Sequence, residues 1–155
     1  VDALPLLVFF QSLILDMAGN TGTQSLAVTI RVISNEQTTK KDVAKLILKE
    51  LKVGLLNGLI IGSISFCVVL LFLMFVKSKD AGMIYNLKIA TSIGISMLAS
   101  IIVANAAGTI IPVIFKKCKV DPAVASGPLI TTLNDIIAVS IYYGLAWILF
   151  KTLIG

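Results

Sequence analysis

A single aspartate stands inside a long apolar stretch near the end of the chain. Asp135 closes the segment 126–135 and is followed by the uncharged run 136–149. A carboxylate within a membrane helix costs roughly 2.5–3.5 kcal/mol on insertion scales, and such residues usually mark ion or substrate paths. At helical spacing, Gly127, Thr131 and Asp135 share one face. We therefore predict that these three residues form a cation site lined by oxygen atoms.

A second polar stretch interrupts the first apolar segment. Asp16, Asn20 and Gln24 recur every four residues and so lie on one face of a helix. Gly19 and Gly22 lie between them and permit close backbone approach or a local break. The stretch is apolar on both sides, which argues against a water-exposed loop. We predict that these five residues line a cavity or face another subunit.

The residue types in the two stretches favour a hard cation. They supply carboxylate, amide and hydroxyl oxygens, Asn134 among them, and the chain contains no histidine. Hard cations prefer such ligands, and magnesium, which loses its water reluctantly, suits a site with one carboxylate per chain. Two chains around a twofold axis would bring two copies of Asp135 together, and a divalent ion would relieve their repulsion.

Two other interpretations of the polar residues compete with an ion path. A lone membrane aspartate can be protonated, or bonded to a neighbouring helix, and merely hold the bundle together. An enzyme would need a nucleophile–base pair or a metal-bound water. The sequence contains no GxSxG or HExxH motif and no cluster of carboxylates, and the glycines at 19–22 lack the following lysine of a P-loop. We predict that the chain is not an enzyme.

Composition places the chain in a membrane. Of its 155 residues 57% are hydrophobic and only 14% are charged, against about 25% charged in soluble domains. Several uncharged runs approach or exceed the roughly 20 residues that cross a bilayer. We predict an all-α, polytopic transmembrane helix bundle in the cell membrane. Residues 1–155 are expected to form one ion-conducting domain. Four spans are expected, at about 3–33, 53–76, 87–115 and 122–153.

Charged residues are concentrated between the predicted spans. The linker 34–52 is rich in lysine, and the apolar positions of 39–52 partly form one stripe, which predicts an amphipathic helix at the cytoplasmic membrane surface; a simple basic loop is the alternative. Lysine-rich short loops stay in the cytoplasm, so both chain ends are expected outside. The net charge of +5 fits membrane orientation better than nucleic-acid binding.

Cys67 and Cys118 form no CxxC pair and predict neither a zinc site nor a disulfide.

The two polar stretches resemble a known family. The segment 16–31, DMAGNTGTQSLAVTIR, resembles the glycine–asparagine–glutamine motif in the second transmembrane helix of MgtE-type magnesium transporters. The segment 121–135, DPAVASGPLITTLND, resembles the start of that family's fifth helix. The order and spacing of the segments between them also match, so the resemblance covers essentially the whole chain.

The resemblance implies a homodimeric magnesium channel with its pore on the twofold axis. It implies that Asp135 recognises hydrated Mg²⁺ and that Thr131 and Gly127 line the same site. It also implies that Gly19, Asn20 and Gly22 lie beside the pore and its cytoplasmic gate. The resemblance also implies a family with five spans, so the family's first span and its cytoplasmic N-terminal and CBS regulatory domains are expected to be missing from this sequence.

These observations predict passage of hydrated Mg²⁺ through a dimeric pore in a membrane of lipid. The alternative is a secondary transporter that couples another divalent or monovalent cation to sodium or protons through Asp16 and Asp135. A third possibility is a membrane scaffold that transports nothing.

Overall fold

The computed structural model describes residues 3–76, 82–121 and 128–153. Within these ranges the chain forms helices α1 (Ala3–Ile33), α2 (Lys40–Val76), α3 (Met83–Lys117) and α4 (Pro128–Leu153). The predicted all-helical class is therefore confirmed.

Three stretches are long and apolar enough to cross a membrane, namely Lys40–Phe75, Met83–Lys117 and Thr131–Leu153. A fourth span in α1 stays a prediction, as do the homodimer and its pore. Residues 122–127 of the predicted last span, including Gly127, lie outside the described residues.

The linker between α1 and α2 is shorter than the sequence predicted. Residues 39–52 were expected to form a separate surface helix, but α2 runs from Lys40 to Val76 without a break. The segment holds no proline and no glycine before Gly54, and lysine, leucine and glutamate are good helix formers. Thr39 caps α2: its hydroxyl donates to Asp42 Oδ2 at 2.6 Å, and the Asp42 backbone amide donates to the Thr39 hydroxyl at 3.3 Å.

Helix α3 is the centre of the bundle and packs against each of the other three helices. Its buried residues occur on every side, and the core joins it to α1, α2 and α4. Fully buried members of this core include Ile14, Val69, Ile93, Met97 and Tyr142. The outer surface of α2 is the opposite case, because its large apolar side chains are exposed in a way that suits lipid contact. They include Leu55, Leu56, Leu59, Ile60, Ile64 and Val68.

Small residues set the contact between α2 and α3. Added methyl groups at Gly58 and Gly62 would each lie 3.0 Å from a carbonyl oxygen of α3, at Leu98 and Gly94 respectively. The glycine repeat of α2 therefore lies directly on the α3 backbone, as small-xxx-small repeats do in membrane helices. This contact holds the two helices close over several turns.

Candidate functional site

The carboxylate of Asp135 on α4 lies against the backbone of α1. A methyl group added at Gly19 would be 3.2 Å from Asp135 Oδ1, so only a residue without a side chain leaves the carboxylate in place. Asp135 and Thr131, one turn earlier on α4, are both half-buried. The structure thus brings together three of the predicted residues from two helices.

A row of exposed polar side chains runs along α1 beside Asp135. Asp16, Asn20 and Gln24 are all exposed and fall on one face of this helix. On the other side of α1, Ile14 and Ala18 are completely buried in the core. We call the three exposed residues Asp16, Asn20 and Gln24 the polar row. Lipid is a poor neighbour for such side chains, so the row needs water, an ion or another chain against it.

Asn134 occupies a different position from the polar row. Its side chain is only 1% exposed, and its Nδ2 lies 3.5 Å from the carbonyl oxygen of Ala18. Its Oδ1 is buried without a hydrogen-bond partner among the described residues. The side chain therefore lies inside the bundle, between α4 and α1. Its predicted part in lining an ion path stays a prediction.

Helices α1 and α3 touch backbone to backbone at two glycines. A methyl group at Gly108 would lie 2.2 Å from the carbonyl oxygen of Gly22. A methyl group at Gly22 would lie 1.8 Å from Asn134 Nδ2 and 3.1 Å from the carbonyl oxygen of Ala104. The polar, glycine-containing stretch of α1 thus lies directly on the backbone of α3, and this contact holds the part of α1 that faces Asp135.

A buried carboxylate on α2, that of Glu50, was not predicted from the sequence. Glu50 is 6% exposed, and its Oε2 accepts a 2.7 Å hydrogen bond from the hydroxyl of Ser25 on α1. Glu50 stands in a lysine-rich segment that is typical of a solvated surface, and this composition hid its burial. The sequence signal was Gly54, which lies one helical turn after Glu50 and so on the same face. In the structure Gly54 packs against Asn105 of α3. This hydrogen bond joins α2 to α1 at the residue that follows Gln24, the last member of the polar row.

The electrostatics of the site depend on single carboxylates. In the part of the chain that the structure describes, no group of three or more His, Cys, Asp or Glu side chains could hold a metal ion. Asp135 and the exposed Asp16 therefore do not belong to a closed multi-carboxylate cage of described residues. Such an arrangement suits a cation that keeps its water, or one shared with another chain.

Comparison with known proteins gives the family. The sequence model of the MgtE family, described as a divalent cation transporter, matches residues 11–145. The chain belongs to the MgtE family. The matched range holds the polar row, Gly19, Gly22, Thr131, Asn134 and Asp135.

Three magnesium transporters of the MgtE family share this segment. The chain is 41% identical over 140 residues to the magnesium transporter MgtE of Bacillus subtilis, which covers 90% of this chain. It is 41% identical over 146 residues to that of Enterococcus faecalis, covering 94%, and 31% identical over 151 residues to that of Thermus thermophilus, covering 97%. The aligned segment makes up only 29%, 30% and 31% of these three relatives.

Family membership and the apolar helices agree on the location of the chain. Three helices of sufficient length and hydropathy, within a family of cation transporters, make it a multi-pass protein of the cell membrane. Asp135 falls within the third of these candidate spans, Thr131–Leu153.

Proposed function

We propose that this chain conducts Mg²⁺ across the membrane through a pore between two copies, with Asp135 as the carboxylate that attracts the ion. One observation carries the proposal: a half-buried carboxylate on an apolar helix lies against a glycine of α1, beside a row of exposed polar residues. The relatives named above are magnesium transporters, which is the reason for choosing this cation.

The polar row supports a pore shared between subunits. Among the described residues of one chain nothing covers the row, although α1 packs its opposite side into the core. A second copy related by a twofold axis would place two such rows and two Asp135 carboxylates around one aqueous path. Their mutual repulsion would be offset by a divalent cation between them.

The ligand set supports passage of a hydrated ion. Amide and hydroxyl groups bind the water shell of a cation through hydrogen bonds, and Mg²⁺ usually keeps several waters in protein sites. In this arrangement Asp135 supplies charge while Asn20 and Thr131 contact the water shell. Gly127, which lies outside the described residues, is proposed to line the same site.

Flux into proteoliposomes tests the role of Asp135. Unit charges 4 Å apart attract by about 4 kcal/mol at a protein-like dielectric, and about 1.4 kcal/mol corresponds to a tenfold change. Asp135→Asn should therefore lower voltage-driven Mg²⁺ uptake at least about tenfold. The matched control is Glu36→Gln, an exposed acid in the α1–α2 linker, which should leave uptake unchanged.

The same assay separates a channel from a coupled carrier. A channel needs only the membrane potential and the Mg²⁺ gradient, whereas a coupled carrier stops when sodium and proton gradients are removed. Uptake by Asp135→Asn equal to that of the unmodified protein would contradict the proposed role of the carboxylate.

A further inference from the structure

A groove opens where the end of α1, the start of α2 and the end of α3 meet. It has a volume of about 570 Å³, within the roughly 300–1,000 Å³ typical of small-molecule sites. Its wall is formed by the apolar side chains of Ile33, Val43, Ile47 and Val113. Apart from its shared use of α1, this space is separate from the Asp135 site, because none of its lining residues belongs to that site.

Three lysines stand at the same groove. Lys40 at the start of α2 and Lys116 and Lys117 at the end of α3 line it, and all three are exposed. The Lys116 ammonium donates a hydrogen bond to the carbonyl oxygen of Ile33, which closes the C-terminal end of α1. Lys40 and Lys117 remain as exposed positive charges beside an apolar wall.

We propose that this basic groove binds an anionic phospholipid, with the phosphate at Lys40 and Lys117 and the apolar part of the lipid against Val43 and Ile47. Positive charge beside an apolar wall complements a lipid that carries an anionic headgroup and apolar chains. Lysine ammonium groups bind phosphates as point charges, and basic pockets between membrane helices on the cytoplasmic side suit anionic headgroups.

Other occupants fit the groove less well. A metal cation would be repelled, because the described residues that line the groove include three lysines and no carboxylate. A free phosphate would leave the apolar wall in contact with water. The lysine-rich segment 34–52, most of which forms the start of α2, predicts that this end of the bundle faces the cytoplasm, where anionic lipids concentrate.

Native mass spectrometry of the purified protein in detergent tests the lysines. Phosphatidylglycerol should bind more tightly than phosphatidylcholine, and the double variant Lys40→Gln/Lys117→Gln should bind phosphatidylglycerol about ten- to thirtyfold more weakly. The control Lys49→Gln/Lys52→Gln removes the same charge from exposed lysines of α2 outside the groove and should keep full binding. Equal losses in both double variants would overturn the proposal.

A second pair of variants tests the groove itself. Ala44→Trp fills it and should abolish preferential binding of phosphatidylglycerol, whereas Leu48→Trp, one turn further along α2 and outside the groove, should not. Unchanged lipid binding by Ala44→Trp would overturn the proposal. If Ala44→Trp also converted dimers into monomers while lipid binding stayed the same, a second copy of the chain, and not a lipid, would occupy the groove. Asp135→Asn should bind lipid normally, which separates this test from that of ion conduction.

Discussion

At the scale of single residues, the position of the Asp135 carboxylate depends on a missing side chain. Gly19 leaves just enough room, since a methyl group there would stand 3.2 Å from Oδ1. That separation is tight but not a collision, so the carboxylate can respond by moving a few tenths of an ångström. The position of the charge, rather than the stability of the fold, should therefore be sensitive to this glycine.

Gly19→Ala should reduce Mg²⁺ uptake several-fold, by displacing the carboxylate, while the thermal unfolding midpoint in detergent changes little. The matched control is Gly144→Ala on α4, where an added methyl group meets no atom within 4 Å. Alanine is favoured over glycine in a helix by about 0.8–1.0 kcal/mol, so the control should be neutral or slightly stabilising. Equal uptake by both variants would show that ion passage does not depend on the contact between Gly19 and Asp135.

The hydrogen bond from Ser25 to Glu50 gives a second test at this scale. Removing an acceptor from a buried hydroxyl costs about 1–3 kcal/mol. Glu50→Ala should therefore destabilise the protein by about this amount, and Glu50→Gln, which keeps an acceptor oxygen, by less. Unfolding by heat or denaturant in detergent provides the measurement, with Glu36→Ala in the exposed linker as the control. If the alanine and glutamine variants at position 50 were equally stable, the hydrogen bond would contribute nothing.

At the scale of elements, hydropathy was sufficient to predict the helices. It did not predict that α2 runs without a break from Lys40, or which polar groups the helices bury. Lysine at 49 and 52 marked a surface, and this signal concealed both the continuity of α2 and the burial of Glu50. Helical periodicity predicts that Thr131 and Asp135 share one face, and both are half-buried. It could not place Asn134, whose burial depends on the approach of α1 and therefore on tertiary packing.

The contact between α1 and α3 yields a test at the element scale. Gly108→Ala places a methyl group 2.2 Å from a backbone oxygen of Gly22, and no side-chain rotation can relieve this clash. The helices must separate, and overpacking of this kind costs about 1–3 kcal/mol. We expect a lower unfolding midpoint in detergent together with reduced Mg²⁺ uptake, because α1 carries the polar row. A variant as stable as Gly144→Ala would contradict the close approach of the two helices.

At the scale of the whole molecule, two surfaces of the chain call for different neighbours. The outer face of α2 is apolar and suits lipid, whereas the polar row on α1 suits water and a second subunit. If two copies meet across a twofold axis at the row, the same residue of each copy lies near the axis. A single cysteine introduced there would lie close to the same cysteine of the other copy. A disulfide between the two would report this approach, because disulfides need Cα atoms within about 7 Å.

Cross-linking in membranes therefore tests the assembly. Cys67 and Cys118, both exposed free thiols, are first replaced by serine. Asn20→Cys in this background should give a disulfide-linked dimer on mild oxidation, and Mg²⁺ should slow the reaction by holding the two copies apart around a hydrated ion. Leu56→Cys, on the exposed apolar face of α2, is the control and should remain monomeric on a denaturing gel. Cross-linking at position 56 but not at position 20 would place the subunit contact on α2 and remove the polar row from the pore.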